Sequence, residues 1–89
     1  MVKRFSLGKI LITPTAAEAI PKYEILVALR RHLRGDWGDL TMRDRHANTN
    51  ALLNGKRLFS AYHSGEGIKF WIITEADRSA TTVLLPEDY

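Results

Sequence analysis

The last third of the chain, residues 57–89, constrains the fold more than any other part of the sequence. It contains three apolar runs, Arg57–His63, Ile68–Thr74 and Ala80–Leu85, separated by two segments rich in turn-forming residues. Within each run the side chains alternate between two faces, as they do in a β-strand. Pro86 has no backbone N–H to donate to a neighbouring strand, so it ends the third run. The pattern predicts an antiparallel meander with Ile68–Thr74 as its central strand.

The first half of the chain predicts one strand followed by helices. Phe5–Ile12 is rich in apolar residues, and we expect a strand there that is buried on both faces towards its end. Thr15–Glu18 has the spacing of a capping box and predicts a single helical turn. Two longer helices are predicted within Pro21–Gly35 and Thr41–Gly55, because a favoured N-terminal residue begins each range and a glycine ends it.

These segments predict that residues 1–89 form a single α+β domain in the order strand, helix, helix, three-stranded antiparallel meander. We expect the helices to pack on one face of the sheet. Both faces of Ile68–Thr74 carry apolar side chains, so a second face remains that needs cover from water. We therefore expect a homodimer or a protein partner on that face, with Lys69, Trp71 and Ile73 as candidate partner-binding residues. Trp37, in the loop between the helices, is a further candidate for partner binding, although the favoured alternative is that it folds back over the core.

The positive charge lies mainly in the helical half of the chain. The net charge is +3, and residues 1–45 hold nine Lys or Arg against five Asp or Glu, whereas residues 46–89 hold four against five. An uneven distribution of this kind can attract nucleic acid. The candidate nucleic-acid-binding residues are Arg30, Arg31 and Arg34, although their position near a helix C-terminus also stabilises the helix dipole.

Composition and motifs argue against several kinds of chemistry. The chain has no cysteine, which excludes disulfides, thiol nucleophiles and thiolate metal sites. No apolar run approaches the roughly 20 residues of a membrane span. The histidines do not stand at metal-ligand spacing, and His32 lies at the border of an apolar helix stripe. We therefore expect a cytoplasmic protein with no catalytic residues, no metal, no cofactor and no membrane contact, in which His32 is a packing residue.

Three segments resemble a family of short, uncharacterised bacterial proteins of a plasmid-related type. These segments are Arg34–Gly38, Lys69–Ser79 and Thr82–Tyr89, and the likeness extends over nearly the whole chain from Phe5. The family has no established activity. The resemblance implies a bacterial setting, often on mobile elements, and assigns no role to any residue.

The order of the predicted elements also resembles that of the small RelE and ParE type toxins. In those toxins a concave sheet face bears basic and polar side chains; some members cut messenger RNA and the ParE branch targets gyrase. The resemblance implies as candidates Arg57, Tyr62, His63, Lys69, Arg78 and Tyr89. Because neighbouring strand residues point to opposite faces, Tyr62 and His63 cannot serve one site. We therefore favour a small non-enzymatic binding module and keep the toxin and the nucleic-acid-binding protein as alternatives.

Overall fold

The computed structural model describes residues 5–89, so residues 1–4 of the predicted domain lie outside the described part. Within residues 5–89, helices and a four-stranded mixed sheet form a single α+β domain. The elements are β1 (Lys9–Ile12), α1 (Pro14–Ala19), α2 (Lys22–Leu33), α3 (Met42–Asn54), β2 (Leu58–His63), β3 (Lys69–Thr74), β4 (Ala80–Leu84) and a short 3-10 helix (Pro86–Asp88).

The sheet has the strand order β1-β4-β3-β2. Strands β2, β3 and β4 are antiparallel, with Ser60 opposite Ile72 and Ile72 opposite Val83, which confirms the predicted meander and the interior position of β3. Strand β1 pairs parallel with β4, from Lys9 opposite Ala80 to Ile12 opposite Val83. The sheet is therefore mixed. Three helices and the strands β2 and β3 lie between β1 and β4 in the chain, and parallel strands require a long connection of this kind.

Strand β1 departs furthest from what the sequence predicts. It begins at Lys9 and not at Phe5, and the expected burial on both faces is wrong. Ile10, Leu11 and Ile12 are 40%, 41% and 42% exposed. The physical reason is position: β1 is the edge strand next to β4, and the chain leaves the sheet for α1 immediately after it.

Helix α1 begins two residues earlier than the expected capping box. Thr13 is its N-cap, since the Thr13 hydroxyl accepts a hydrogen bond from the backbone N–H of Ala16, and Pro14 occupies the first turn. The helix then runs for six residues, so the structure has three α-helices where the fold prediction had two. Pro21 is the N-cap of α2 and lies outside the helix.

Helices α1 and α2 pack on one side of the sheet, which we call the helix face. Its side chains come from β2, β3 and β4 and are Leu58, Ser60, Tyr62, Phe70, Ile72, Thr74, Thr81 and Val83. Against them lie the buried residues Ala16, Ile20, Ile25, Ala28 and Leu29. Burial of each large apolar side chain contributes about 1.5–3 kcal/mol, so this layer supplies most of the stability of the domain.

Helix α3 covers the outer edge of β2, and its Ala51 packs with Leu58 of the helix face and with Trp37 in a second buried cluster. The buried Asn48 side chain donates a hydrogen bond to the carbonyl of Phe59 and accepts one from its N–H at 3.0 Å. Next to it, Ala61 donates to the carbonyl of Trp37 at 3.1 Å and accepts from Asp39 N–H at 2.7 Å. The edge of β2 therefore has hydrogen-bond partners, although no strand of the described chain lies beside it. The predicted ends of the helix are confirmed, with Thr41 as N-cap and Gly55 left-handed at the C-terminus.

We expect Asn48→Ala to lower the free energy of unfolding by about 1–3 kcal/mol, because it leaves the N–H and carbonyl of Phe59 without partners. Urea unfolding followed by circular dichroism measures the loss. The matched control is Asn50→Ala, an exposed position on the same helix, where we expect no loss. Equal stability of the two variants would contradict the edge-capping role of Asn48.

Candidate functional site

The face of the sheet opposite α1 and α2, which we call the distal face, bears the candidate site. Strand alternation and register assign to it the residues Phe59, Ala61, His63, Lys69, Trp71, Ile73, Thr82 and Leu84. Phe59 lies opposite Ile73, and Ala61 lies opposite Trp71. No α-helix packs over these side chains in the described chain, so their environment depends on the residues after β4.

The carboxy-terminal segment is held close to α1 by Asp88. Its carboxylate accepts hydrogen bonds from the hydroxyls of Thr13, at 2.7 Å, and Thr15, and from the N–H of Leu85 at 3.0 Å. These donors, the Thr15 hydroxyl above all, lower the pKa of Asp88. The anchor directs Tyr89 back over the distal face.

The returning segment corrects the expectation of a wholly uncovered face. The Tyr89 ring lies 5.9 Å from the ring of Trp71, and the 3-10 helix contacts β3. Ile73 is only 4% exposed and Trp71 is half-buried, whereas Tyr89 is 70% exposed. The 3-10 helix and Tyr89 therefore cover part of the distal face, and Tyr89 itself remains largely exposed.

A cavity of about 270 Å³ lies beneath this cover, lined by Arg57, Phe59, Trp71, Ile73 and Tyr89; we call it the aromatic cavity. The rings of Phe59 and Trp71 are 5.1 Å apart at 78°, and those of Trp71 and Tyr89 meet at 72°. Edge-to-face contacts of this kind are favourable and fix the orientation of each ring. Arg57 donates a hydrogen bond to the Tyr89 hydroxyl at 2.9 Å and lies 5.3 Å from its ring centre.

The aromatic cavity combines apolar walls with one cationic group. Its volume lies just below the roughly 300–1,000 Å³ of sites for drug-sized ligands, so it is suited to a single side chain or a small ring. The Arg57 guanidinium uses one of its five N–H groups on Tyr89 and has further donors for an anion. Chemically, the site can hold an apolar or aromatic group that lies next to a negative charge.

The structure separates the four residues predicted to bind a partner. Trp71 and Ile73 both line the aromatic cavity, and Lys69 is exposed on the same face, one alternation along β3. Trp37 is 5% exposed in a second cluster with Ala51 and Leu58, and its ring lies 5.5 Å from that of His32. Its indole is part of the core and is not available at the surface.

The three arginines at the end of α2 have different environments. Arg31 forms a two-point ion pair with Asp36, with Nε to Oδ2 at 2.7 Å and Nη2 to Oδ1 at 3.2 Å. The guanidinium of Arg31 lowers the pKa of Asp36 and lies 4.7 Å from the ring centre of Tyr62. Arg30 and Arg34 are exposed. Arg31 is therefore used within the fold and does not add to an exposed basic patch.

The toxin candidates do not form one site. Tyr62 is buried on the helix face, where its hydroxyl donates to the carbonyl of Asp36 at 2.7 Å, and burial raises the pKa of Tyr62. His63 lies on the distal face, with Nδ1 2.6 Å from a carboxylate oxygen of Asp39. As the sequence predicts, the two residues face opposite sides of β2.

Arg78, another toxin candidate, holds the turn between β3 and β4 against α3. It is the one non-glycine residue with positive φ, 62°, among residues 5–89. Its guanidinium donates to the carbonyls of Lys56 at 2.6 Å, Glu75 at 3.1 Å and Ala51 at 3.3 Å, with a further bond in the turn to Ala76. The charge stabilises the C-terminal end of α3. Sequence patterns do not indicate this role, because the contacts join distant segments.

His32 is fully buried at the centre of a chain of polar side chains that crosses the core. Its Nδ1 lies 2.5 Å from the Ser60 hydroxyl, and its Nε2 lies 2.9 Å from the Thr74 hydroxyl. The Thr74 hydroxyl lies 2.8 Å from that of Thr81, which donates to the carbonyl of Leu7 at 2.6 Å. His32 thus packs in the interior and not at the border of the apolar stripe.

The carbonyl of Leu7, the last acceptor in this series, determines the direction of every hydrogen bond in it. The carbonyl of Leu7 has no proton, so Thr81 donates to it and must accept from Thr74. Thr74 in turn accepts from His32 Nε2–H, which leaves Nδ1 without a proton, as the acceptor for Ser60. Burial, and secondarily the charge of Arg78, lower the pKa of His32 from 6.5 to about 4, so the ring is neutral at pH 7.

The described residues contain neither a cluster of His, Asp or Glu suited to a metal ion nor a helix long and apolar enough to cross a membrane. No protein-family model, curated protein or solved structure matches this chain. The geometry of the distal face is therefore the main guide to function.

We expect the stability of the domain to fall as the pH drops from 6.5 towards 4. The pKa of His32 is lower in the folded state, so its contribution is complete above pH 6.5 and is lost as protons bind the unfolded chain first. The total loss is about 3 kcal/mol, measurable by urea unfolding at stepped pH. Long-range proton–nitrogen NMR at pH 7 should show that Nε2 of His32 carries a proton and that Nδ1 does not. The opposite tautomer, or a charged ring at pH 6.5, would contradict the assignment.

Proposed function

We propose that this protein is a small binding module that recognises a partner protein through the aromatic cavity of the distal face. The observation that carries this proposal is a cavity of about 270 Å³, partly open to solvent, between Phe59, Trp71 and the exposed Tyr89. Aromatic residues and arginine are enriched among the residues that dominate binding energy at protein interfaces. Here three aromatic rings and Arg57 surround one cavity.

The chemistry of the cavity defines the partner segment. Its walls favour an aromatic or large aliphatic side chain, and Arg57 favours a carboxylate beside that side chain. Lys69 adds a second exposed cation on the same face. The occupant that fits best is a protein segment with one apolar anchor next to Asp or Glu.

A nucleic acid would use the same face in a different way. Single-stranded bases bind by stacking on flat aromatic platforms, which require exposed ring faces. The ring plane of Trp71 makes an angle of 78° with that of Phe59 and 72° with that of Tyr89. The three rings therefore form the walls of the aromatic cavity. This arrangement favours a side chain inserted between the rings over a row of stacked bases.

The resemblance to plasmid-related bacterial proteins supports a bacterial, mobile-element setting for the module. The toxin alternative has less support, because its candidates are divided between different surfaces. Tyr62 lies on the helix face and Arg78 in a turn, whereas Arg57 and Tyr89 line the aromatic cavity. No single substrate phosphate could meet all of these groups.

Two small probes that share an indole ring but carry opposite charges test the proposal. We expect indole-3-acetate to shift the NMR signals of Trp71 and Tyr89, and tryptamine to bind about three to five times more weakly, which corresponds to about 1 kcal/mol for an exposed charge pair. Arg57→Ala should abolish this preference and retain binding of the ring. The matched control is Arg30→Ala, an exposed arginine on α2, which should leave the preference unchanged.

Two outcomes would overturn the proposal. Equal affinity for indole-3-acetate and tryptamine would show that Arg57 does not select an anion. Absence of any shift in the Trp71 NMR signals would show that the aromatic cavity is not the binding site. An eight-residue oligouridylate that shifts the Trp71 signals more strongly than indole-3-acetate at 50 mM salt would favour nucleic acid. In that case affinity should fall steeply with salt, with a slope of roughly 0.7 per phosphate contact.

A further inference from the structure

The outer edge of β1 carries backbone groups that the sheet leaves without a strand partner. The backbone N–H of Lys9 donates to the carbonyl of Ser79, and that of Thr13 donates to the carbonyl of Val83, each at 3.0 Å. Because the backbone groups of alternate residues in a strand point to opposite edges, those of Ile10 and Ile12 point away from β4. Both residues are about 40% exposed, and no strand among residues 5–89 pairs with this edge.

We propose that a second copy of this chain adds its β1 to this edge in antiparallel orientation, with the twofold axis beside Leu11. Ile10 then exchanges two backbone hydrogen bonds with Ile12 of the partner subunit, and Ile12 does the same with the partner's Ile10. The two four-stranded sheets become one sheet of eight strands. This surface is distinct from the aromatic cavity, and the inference does not rest on the proposed function.

The local backbone selects this register over its neighbours. If the axis lay beside Ile10, Ile12 would face the partner's Gly8, which in this chain has φ of +63° and is not extended. If the axis lay beside Ile12, Ile10 would face the partner's Pro14, which has no N–H and begins α1. The register centred on Leu11 is the one that pairs both outward residues.

The side chains of β1 are compatible with a second copy on each face of the sheet. Leu11 meets the partner's Leu11 on the distal side, and Ile10 meets the partner's Ile12 on the helix side, so apolar residues contact apolar residues. Lys9 lies opposite the partner's Thr13 and not opposite another lysine, which avoids direct repulsion. The three central residues of the pairing, Ile10, Leu11 and Ile12, are uncharged, whereas Lys9 and Pro14, which are of the kinds that protect edge strands, lie only at its two ends.

The interaction should be weak, because a four-residue strand buries less area than a standard protein interface. We expect dimers at protein concentrations of about 0.1 mM, at the low end of specific interfaces. Sedimentation velocity at that concentration measures them. Leu11→Lys places two like charges directly opposite each other and should give a monomer with an unchanged circular dichroism spectrum.

The absence of native cysteine makes disulfide crosslinking a direct test of the register. In an antiparallel pair, residues such as Leu11 that face each other without shared hydrogen bonds have Cα atoms about 4.5 Å apart, within the range of a disulfide. Leu11→Cys should therefore form a covalent dimer under mild oxidation. Ile10→Cys and Ile12→Cys should not, because each would lie roughly 7–8 Å from its own counterpart.

The control is Leu53→Cys, at a position in α3 that is 79% exposed. Its crosslinking rate measures random collisions between molecules. Crosslinking of Leu11→Cys at least ten times faster than Leu53→Cys, together with a dimer of the unaltered protein at about 0.1 mM, would support the proposal. Equal rates, or faster crosslinking at Ile10→Cys or Ile12→Cys, would overturn it. A monomeric unaltered protein at that concentration would overturn it as well.

Discussion

The hydrogen-bonded chain through His32 is the interaction on which the rest of this fold depends. It links α2 to β2, β3 and β4, and then to the segment before β1, through the side chains of Ser60, Thr74 and Thr81. A buried polar group without a partner is costly, so each member needs the others in place. Among residues 5–89, every buried side-chain nitrogen and oxygen has a hydrogen-bond partner. These hydrogen bonds therefore define both the position of α2 on the sheet and the register of β2, β3 and β4.

The described residues cover the two faces and the two edges of the sheet unequally. Helices α1 and α2 cover one face, and α3 with the loop around Trp37 covers the edge of β2. The distal face receives only the segment that ends in Tyr89, and the edge of β1 receives no cover from the described residues. The two binding surfaces that we propose lie at these two positions.

Local patterns predicted much of this fold and part of the site. The alternation of β3 placed Trp71 and Ile73 on one face, and the caps of α3 were identified from Thr41 and Gly55. The partners of β1, the return of Tyr89 and the use of Asn48 as an edge cap were not predicted. Each of these features joins segments that are distant in the sequence, and no local period encodes such a contact.

The sequence by itself determined the elements and their two-sided character, because strand alternation and helix caps arise from interactions between residues a few positions apart. Only the tertiary structure decided the environment of each element. Ile10 and Ile73 have equally apolar side chains, yet Ile10 is exposed at an edge and Ile73 is buried beneath the aromatic rings. The difference lies in the neighbouring strand and in the carboxy-terminal segment, and burial depends on those neighbours.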